Sequence, residues 1–155
     1  MRGKRAKKRE QNIDKKYNST IAAAFINKIM QGGKKSIAEK MFYDAVESAA
    51  KKVGDTPLNL LNKVIENISP NLEVRSRRVG GANYQIPIPV SPDRQKTLAI
   101  RWIVDSARGK SGKPFSEIFE KELVDAYNEQ GDAFNKKINV EKMAEANKAF
   151  AHFRW

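Results

Sequence analysis

The chain has 155 residues, with 30 lysines and arginines against 18 acidic residues, a net charge of +12 and no cysteine. This length fits one domain that holds its own core, and the lack of thiols excludes disulfides, thiolate metal sites and cysteine nucleophiles together. No stretch nears the ~20 apolar residues of a membrane span and the charged start lacks a signal-peptide apolar core, so the expectation is a cytoplasmic protein with a polyanionic partner and no membrane contact.

Six basic residues, Arg2, Lys4, Arg5, Lys7, Lys8 and Arg9, precede the first acid, Glu10. Almost nothing there is apolar, so residues 1–17 are expected to form a basic arm, flexible when free, ahead of a helical domain over 18–155. Asn18 and Ser19 are both able to cap a first helix, in which Ile21, Ala24, Phe25 and Ile29 repeat until Gly32-Gly33. A second helix is expected from Ser36, with Glu39 completing a capping box and Ile37, Met41, Phe42, Ala45, Val46, Ala49 and Val53 on the buried face up to Gly54. Thr56-Pro57 opens a third, with Leu58, Leu61, Val64, Ile65 and Ile68 buried and Ser69-Pro70 ending it.

From Leu72 to Val90 the apolar period changes to two, with Tyr84, Ile86, Ile88 and Val90 on one face and Gly80-Gly81 available for the turn. A β-hairpin over 72–90 follows, projecting from the helices, with Pro87 and Pro89 on the outward side of an edge strand. Ser91-Pro92 opens a fourth helix carrying Leu98, Trp102, Ile103 and Ala107, and Gly109 to Pro114 breaks it. Ser116 is the expected cap of a fifth helix (Phe119, Leu123, Ala126, Tyr127) that runs to Gly131. Val140, Met143, Ala144, Asn147 and Phe150 suggest a sixth. The fold class is thus mainly α, a six-helix single domain with a protruding hairpin between helices three and four and a basic N-terminal arm.

Catalysis lacks a constellation. The only histidine, His152, stands three residues from the end, and Glu117, Glu120 and Glu122 interleave with Lys121 as on a solvated helix face, so no enzyme, metal or cofactor is expected. Gly33-Lys34-Lys35-Ser36 and Gly109-Lys110-Ser111 fail the spacing of nucleotide-hydrolase phosphate loops, yet Lys34 and Lys35 beside a helix start, and Lys110 with Lys113, suit nucleic-acid phosphate. Arg75, Arg77 and Arg78 on a glycine-tipped ribbon suit it further, because guanidinium forks bind phosphate in pairs of hydrogen bonds. Arg94, Arg101 and Arg108 recur every seven residues along the fourth helix, with Asp105 placed to pair with Arg101 or Arg108. Lys136 and Lys137 add another basic patch. At the end, Phe150 and Phe153 are expected in the core, whereas Lys148, Arg154 and Trp155 are further candidate contacts.

The run Glu73-Val74-Arg75-Ser76-Arg77-Arg78-Val79-Gly80-Gly81-Ala82-Asn83-Tyr84-Gln85-Ile86-Pro87 resembles the hairpin signature of the universal seventh protein family of the small ribosomal subunit. Phe25 to Met30 with Gly33 to Ser36, Leu98 to Trp102 and Met143 to Trp155 resemble further motifs of that family in the same order. The resemblance implies six helices with a hairpin between the third and fourth. It also implies a ribosomal role: binding the 3′ major domain of the small-subunit rRNA, nucleating head assembly among neighbouring ribosomal proteins, and lying near the mRNA exit and exit-site tRNA. By the same resemblance Gly80, Gly81, Asn83 and Tyr84 form the part of the hairpin near tRNA and mRNA. Departures are the lysine-rich arm, Pro89, Pro114-Phe115 and a chain that stops at Trp155, where some members continue. The competing reading from the residues alone is a DNA-architectural protein, for which a dimer gripping a duplex is expected instead of a monomer preferring folded RNA.

Overall fold

The computed structural model describes Gly3 and residues 12–153. Helices α1 (Thr20–Ile29), α2 (Lys35–Val53) and α3 (Pro57–Ile68) come first, then strands β1 (Leu72–Val79) and β2 (Ala82–Pro89), then α4 (Pro92–Arg108), α5 (Phe115–Tyr127), α6 (Gly131–Ala146) and a 3-10 helix (Lys148–Phe153). The expected order of six helices with one antiparallel hairpin between the third and fourth is what the chain adopts.

Local chemistry sets several boundaries. The Ser19 hydroxyl accepts from the Ala22 amide (3.4 Å), and the Thr56 hydroxyl from the Asn59 amide (3.3 Å), so two N-termini are capped where the sequence placed them. Gly54 closes α2 in the left-handed region at φ 76°, its N–H donating to the Ala50 carbonyl. Two other caps differ from expectation. Helix α2 starts at Lys35, so Ser36 lies inside the first turn and makes no capping box, and Glu39 meets Lys35 at 3.7 Å instead. Helix α5 starts at Phe115 after Pro114, which leaves Ser116 within it.

The core lies between α1, α2 and α5, where Phe25, Phe42 and Phe119 meet with centroids 5.9–6.3 Å apart. Leu60, Leu61, Val64 and Ile68 of α3 and Ala99, Ile103 and Val104 of α4 complete it. Each such large apolar side chain contributes about 1.5–3 kcal/mol when fully buried. Some expected core positions turn outward. Ile37 is 50% exposed because Ala38 and Phe42 set the phase of the α2 stripe, Leu58 in the first turn of α3 is 39% exposed, and Met143 is 51% exposed. Gly131 starts α6 rather than only ending α5, and Phe150 belongs to the 3-10 helix rather than to α6.

Two acids expected on a solvated face are buried, Glu122 under the start of α6 and Glu120 beside Lys52 of α2. Glu122 is fully buried, its carboxylate accepting from Lys110 Nζ (2.7 Å) and from the Ala133 amide (3.0 Å) at the start of α6. Lys110 also pairs with Asp132 at 2.8 Å. Burial alone disfavours its charge, but the two carboxylates outweigh that and raise the ammonium above the usual lysine range. Glu120, also buried, pairs with Lys52 at 2.6 Å.

Candidate nucleic-acid interface

The hairpin register pairs Glu73 with Ile88, Arg75 with Ile86, Arg77 with Tyr84 and Arg78 with Asn83. Gly80 and Gly81, at φ 57° and 91°, make the two-residue turn that positive φ at both positions permits. Around this turn the ribbon is exposed, whereas its base is not. Ile86 is buried, and so is Pro87, which was expected outward. The base rests on α6 and the 3-10 helix, so both faces of β2 are covered there, although proline still withholds no ladder donor the edge needs.

Phe150 and Phe153, expected in the helical core, lie against Tyr84 instead, with centroids at 5.2 and 5.1 Å. Arg77 Nη1 donates to the Phe153 carbonyl at 3.3 Å, which ties the same segment to β1. His152 is exposed, its Nδ1 2.8 Å from the Ala149 carbonyl oxygen. The aromatic pattern near the chain end thus braces the ribbon.

The expected basic residues divide by what holds them. Glu73 accepts from both Arg75 (2.8 Å) and Arg94 (3.3 Å), which joins the ribbon's base to the start of α4. Arg108 donates to the carbonyls of Lys28 (3.0 Å) and Ile29 (2.8 Å), where a cation complements the C-terminal end of α1. Asp105 pairs with Lys28 at 3.1 Å, not with Arg101 or Arg108 as expected, because α1 brings a nearer cation than α4 itself offers. Arg101 and Arg78 are exposed and make no hydrogen bond or ion pair among the described residues.

Lys34 and Lys35 are exposed at the start of α2, whose N-terminus has no side-chain cap. Lys113 meets Glu117 at 3.8 Å and Lys148 meets Glu145 at 3.1 Å, both at the surface where such pairs contribute little. Lys136 is exposed, whereas Lys137 donates to the Asn67 carbonyl at 2.8 Å. Gly80, Gly81 and Asn83 are exposed at the tip. Arg2, Lys4, Arg5, Lys7, Lys8 and Arg9 of the arm, with Arg154 and Trp155, lie outside the described residues.

One anchoring element escaped the sequence reading. Asp14 is 6% exposed and accepts from the Tyr43 hydroxyl (2.5 Å) and from the Tyr17 amide (2.8 Å), while Lys16 pairs with Glu47. Desolvation, and then the hydrogen bond to Asp14, raise the Tyr43 hydroxyl above its ordinary range. Asn12 and Lys15 share a small cavity with Lys35, so the chain leaves its anchor beside the lysines that open α2. The aspartate two and three residues before Lys16 and Tyr17 is the side-chain-to-backbone turn signal that was available.

The described residues hold no group of three or more histidines, cysteines or acids placed for a metal ion. What the geometry presents is a set of cations on rigid elements: the ribbon, the α4 face and the start of α2. The sequence matches the family "Ribosomal protein S7p/S5e" over residues 1–148. It is 52% identical over 155 residues to small ribosomal subunit protein uS7 of Nautilia profundicola, covering all of both chains. It is also 49% identical over 154 residues to the uS7 protein of Treponema denticola, covering 99% of each, and 52% identical over 155 residues to that of Kosmotoga olearia, again covering all of both.

Proposed function

Because the chain belongs to the ribosomal protein S7p/S5e family, we propose that it is a structural, non-enzymatic constituent of the small ribosomal subunit that binds the 3′ major domain of its rRNA and nucleates assembly of the head. The observation that carries the reading is the division of cations just described. Arg78 and Arg101 are exposed without protein partners among the described residues, on a ribbon and a helix that Glu73 and Arg94 fasten together. Phosphate contacts orient a protein on RNA without reading sequence, so a rigid frame carrying separated cations selects a folded junction by shape.

The rRNA contacts are then Arg75, Arg77 and Arg78, the α4 arginines, Lys34-Lys35, Lys113, Lys136-Lys137 and the basic arm, with Lys148, Arg154 and Trp155 at the other end, whereas Lys110, held by Glu122 and Asp132, serves the frame. Gly80, Gly81, Asn83 and Tyr84 set the ribbon tip close to mRNA and exit-site tRNA. Partners are the rRNA and neighbouring small-subunit proteins, and the free protein is a monomer.

Filter binding across a salt series tests this. A transcript of the 3′ major domain should bind far more tightly than a plain duplex of equal length, with a steep salt dependence as counterions are released. Equal affinity for both RNAs at every salt concentration would reduce the protein to a nonspecific polycation.

A further inference from the structure

A groove of about 470 Å³ opens at the root of the hairpin, between α3, α4 and α6, with Ile21 of α1 at its side. That volume falls within the range of small-ligand sites, roughly 300–1,000 Å³. Its walls are mixed in an unusual way. Half-buried Ile21 offers the apolar surface, backed by Ile65 of the core, whereas Asn62, Glu66, Gln95 and Lys96 bring amides, a carboxylate and an ammonium group to the same space. None of those four polar side chains makes a hydrogen bond or ion pair among the described residues.

We propose that this groove takes one unstacked nucleotide of the bound RNA, its base lying on Ile21 and its polar edge read by Asn62, Glu66 and Gln95. The inference rests on the RNA-binding reading above and deepens it, because phosphate contacts leave specificity unexplained. Three features favour a base over a phosphate inside the groove. The Glu66 carboxylate repels phosphate but accepts from the amino groups of a base edge, and carboxamides offer the donor and acceptor together that such edges require. Lys137, the second cation lining the groove, already donates to the Asn67 carbonyl at 2.8 Å, and Glu141, close by, is held by the Asn71 amide at 3.1 Å. Lys96 remains at the rim for the phosphate of the same nucleotide.

Position supports the assignment. Gln95 follows Arg94, which is fixed to Glu73 of the ribbon, so RNA lying across the ribbon base and the α4 arginines passes the mouth of the groove. Recognition of RNA by splayed, unpaired bases is the general route to sequence readout when an A-form major groove is closed to side chains.

The test is chemical probing of base edges in a transcript of the 3′ major domain, with the wild-type protein and with an Asn62→Ala/Gln95→Ala variant. Wild type should protect the edge of one unpaired nucleotide. The variant should lose that protection alone, with affinity down about tenfold and an unchanged salt slope, whereas Lys96→Ala should lower the slope by about one. Thermal unfolding should match wild type, since Asn62 is exposed and Gln95 half-buried, and Glu66→Gln provides a gentler second variant that alters the same protection. A variant that keeps every protection and full affinity overturns the proposal, including the case in which a neighbouring protein fills the groove. Loss of wild-type preference for the transcript over a duplex would instead defeat the RNA reading itself.

Discussion

Two basic regions of the molecule use the same side chains to opposite ends. At the corner formed by the α4–α5 loop and the start of α6, Lys110 is enclosed by Glu122 and Asp132, so its charge holds one helix against another. At the ribbon and along α4, Arg78 and Arg101 face outward with no protein partner among the described residues. Sequence alone makes Lys110 and Arg78 look alike, each a cation near glycines. The difference is the buried carboxylate, which turns a lysine into part of the frame and leaves the arginines unaccompanied, as the proposed RNA contact requires. Within the proposed interface the weight therefore falls on cations that the frame does not already hold.

The sharpest way to break the comparison is Lys110→Met. It leaves Glu122 fully buried without its cation, and stranding a buried charge costs about 3 kcal/mol or more. Urea unfolding should show that loss. A stability change below about 0.5 kcal/mol would mean that the corner is an ordinary surface pair. The same pair should also weaken in strong alkali. A raised folded-state lysine contributes stability that is fully present below its ordinary value near ~10.4 and is lost as pH climbs through the higher folded value.

Tyr84→Ala probes the ribbon side. It removes both ring contacts to Phe150 and Phe153, which are expected to contribute about 1 kcal/mol. Amide hydrogen exchange should quicken across residues 148–153 while the α2 and α5 amides stay protected. Uniform acceleration through the whole domain would show instead that the ribbon is integral to the core.

The smallest effect is expected at Asp55, whose carboxylate accepts from the Thr56 amide (2.7 Å), Asn59 Nδ2 (3.1 Å) and the Tyr127 hydroxyl (3.3 Å). The Thr56 amide first, and then Asn59, hold it below the usual aspartate range. Its contribution is present above that ordinary value and fades as pH falls through the lower folded one, so Asp55→Asn should flatten the acid limb of the stability profile below about pH 4. An unchanged acid limb would remove this cap from the account.

What the sequence made legible follows from range. Ser19, Thr56-Pro57, Gly54 and Gly80-Gly81 act within a few residues, so their caps and turns could be read directly. The hairpin arginines were equally visible, because strand alternation and a glycine turn are local. Burial of Glu120 and Glu122 was not, since Lys52, Lys110 and the start of α6 reach them only in the folded chain. The same holds for Tyr84 against Phe150 and Phe153, and for Asp14 under Tyr43. Helix phase failed at Ile37 for a related reason: period alone permits either Ile37 or Ala38 inward, and the Phe42 contacts with Phe25 and Phe119 decide.

The most direct measurement sets Arg78→Ala/Arg101→Ala beside Lys110→Met, with RNA affinity for the 3′ major-domain transcript followed across a salt series and unfolding followed in the same buffers. The arginine pair should lower the salt slope by about two while leaving unfolding within about 0.5 kcal/mol of wild type. Lys110→Met should do the reverse, losing stability while any protein that remains folded keeps nearly the wild-type slope. Arginine variants that bind with an unchanged slope, or that unfold as readily as Lys110→Met, would contradict the division between framing and RNA-facing cations.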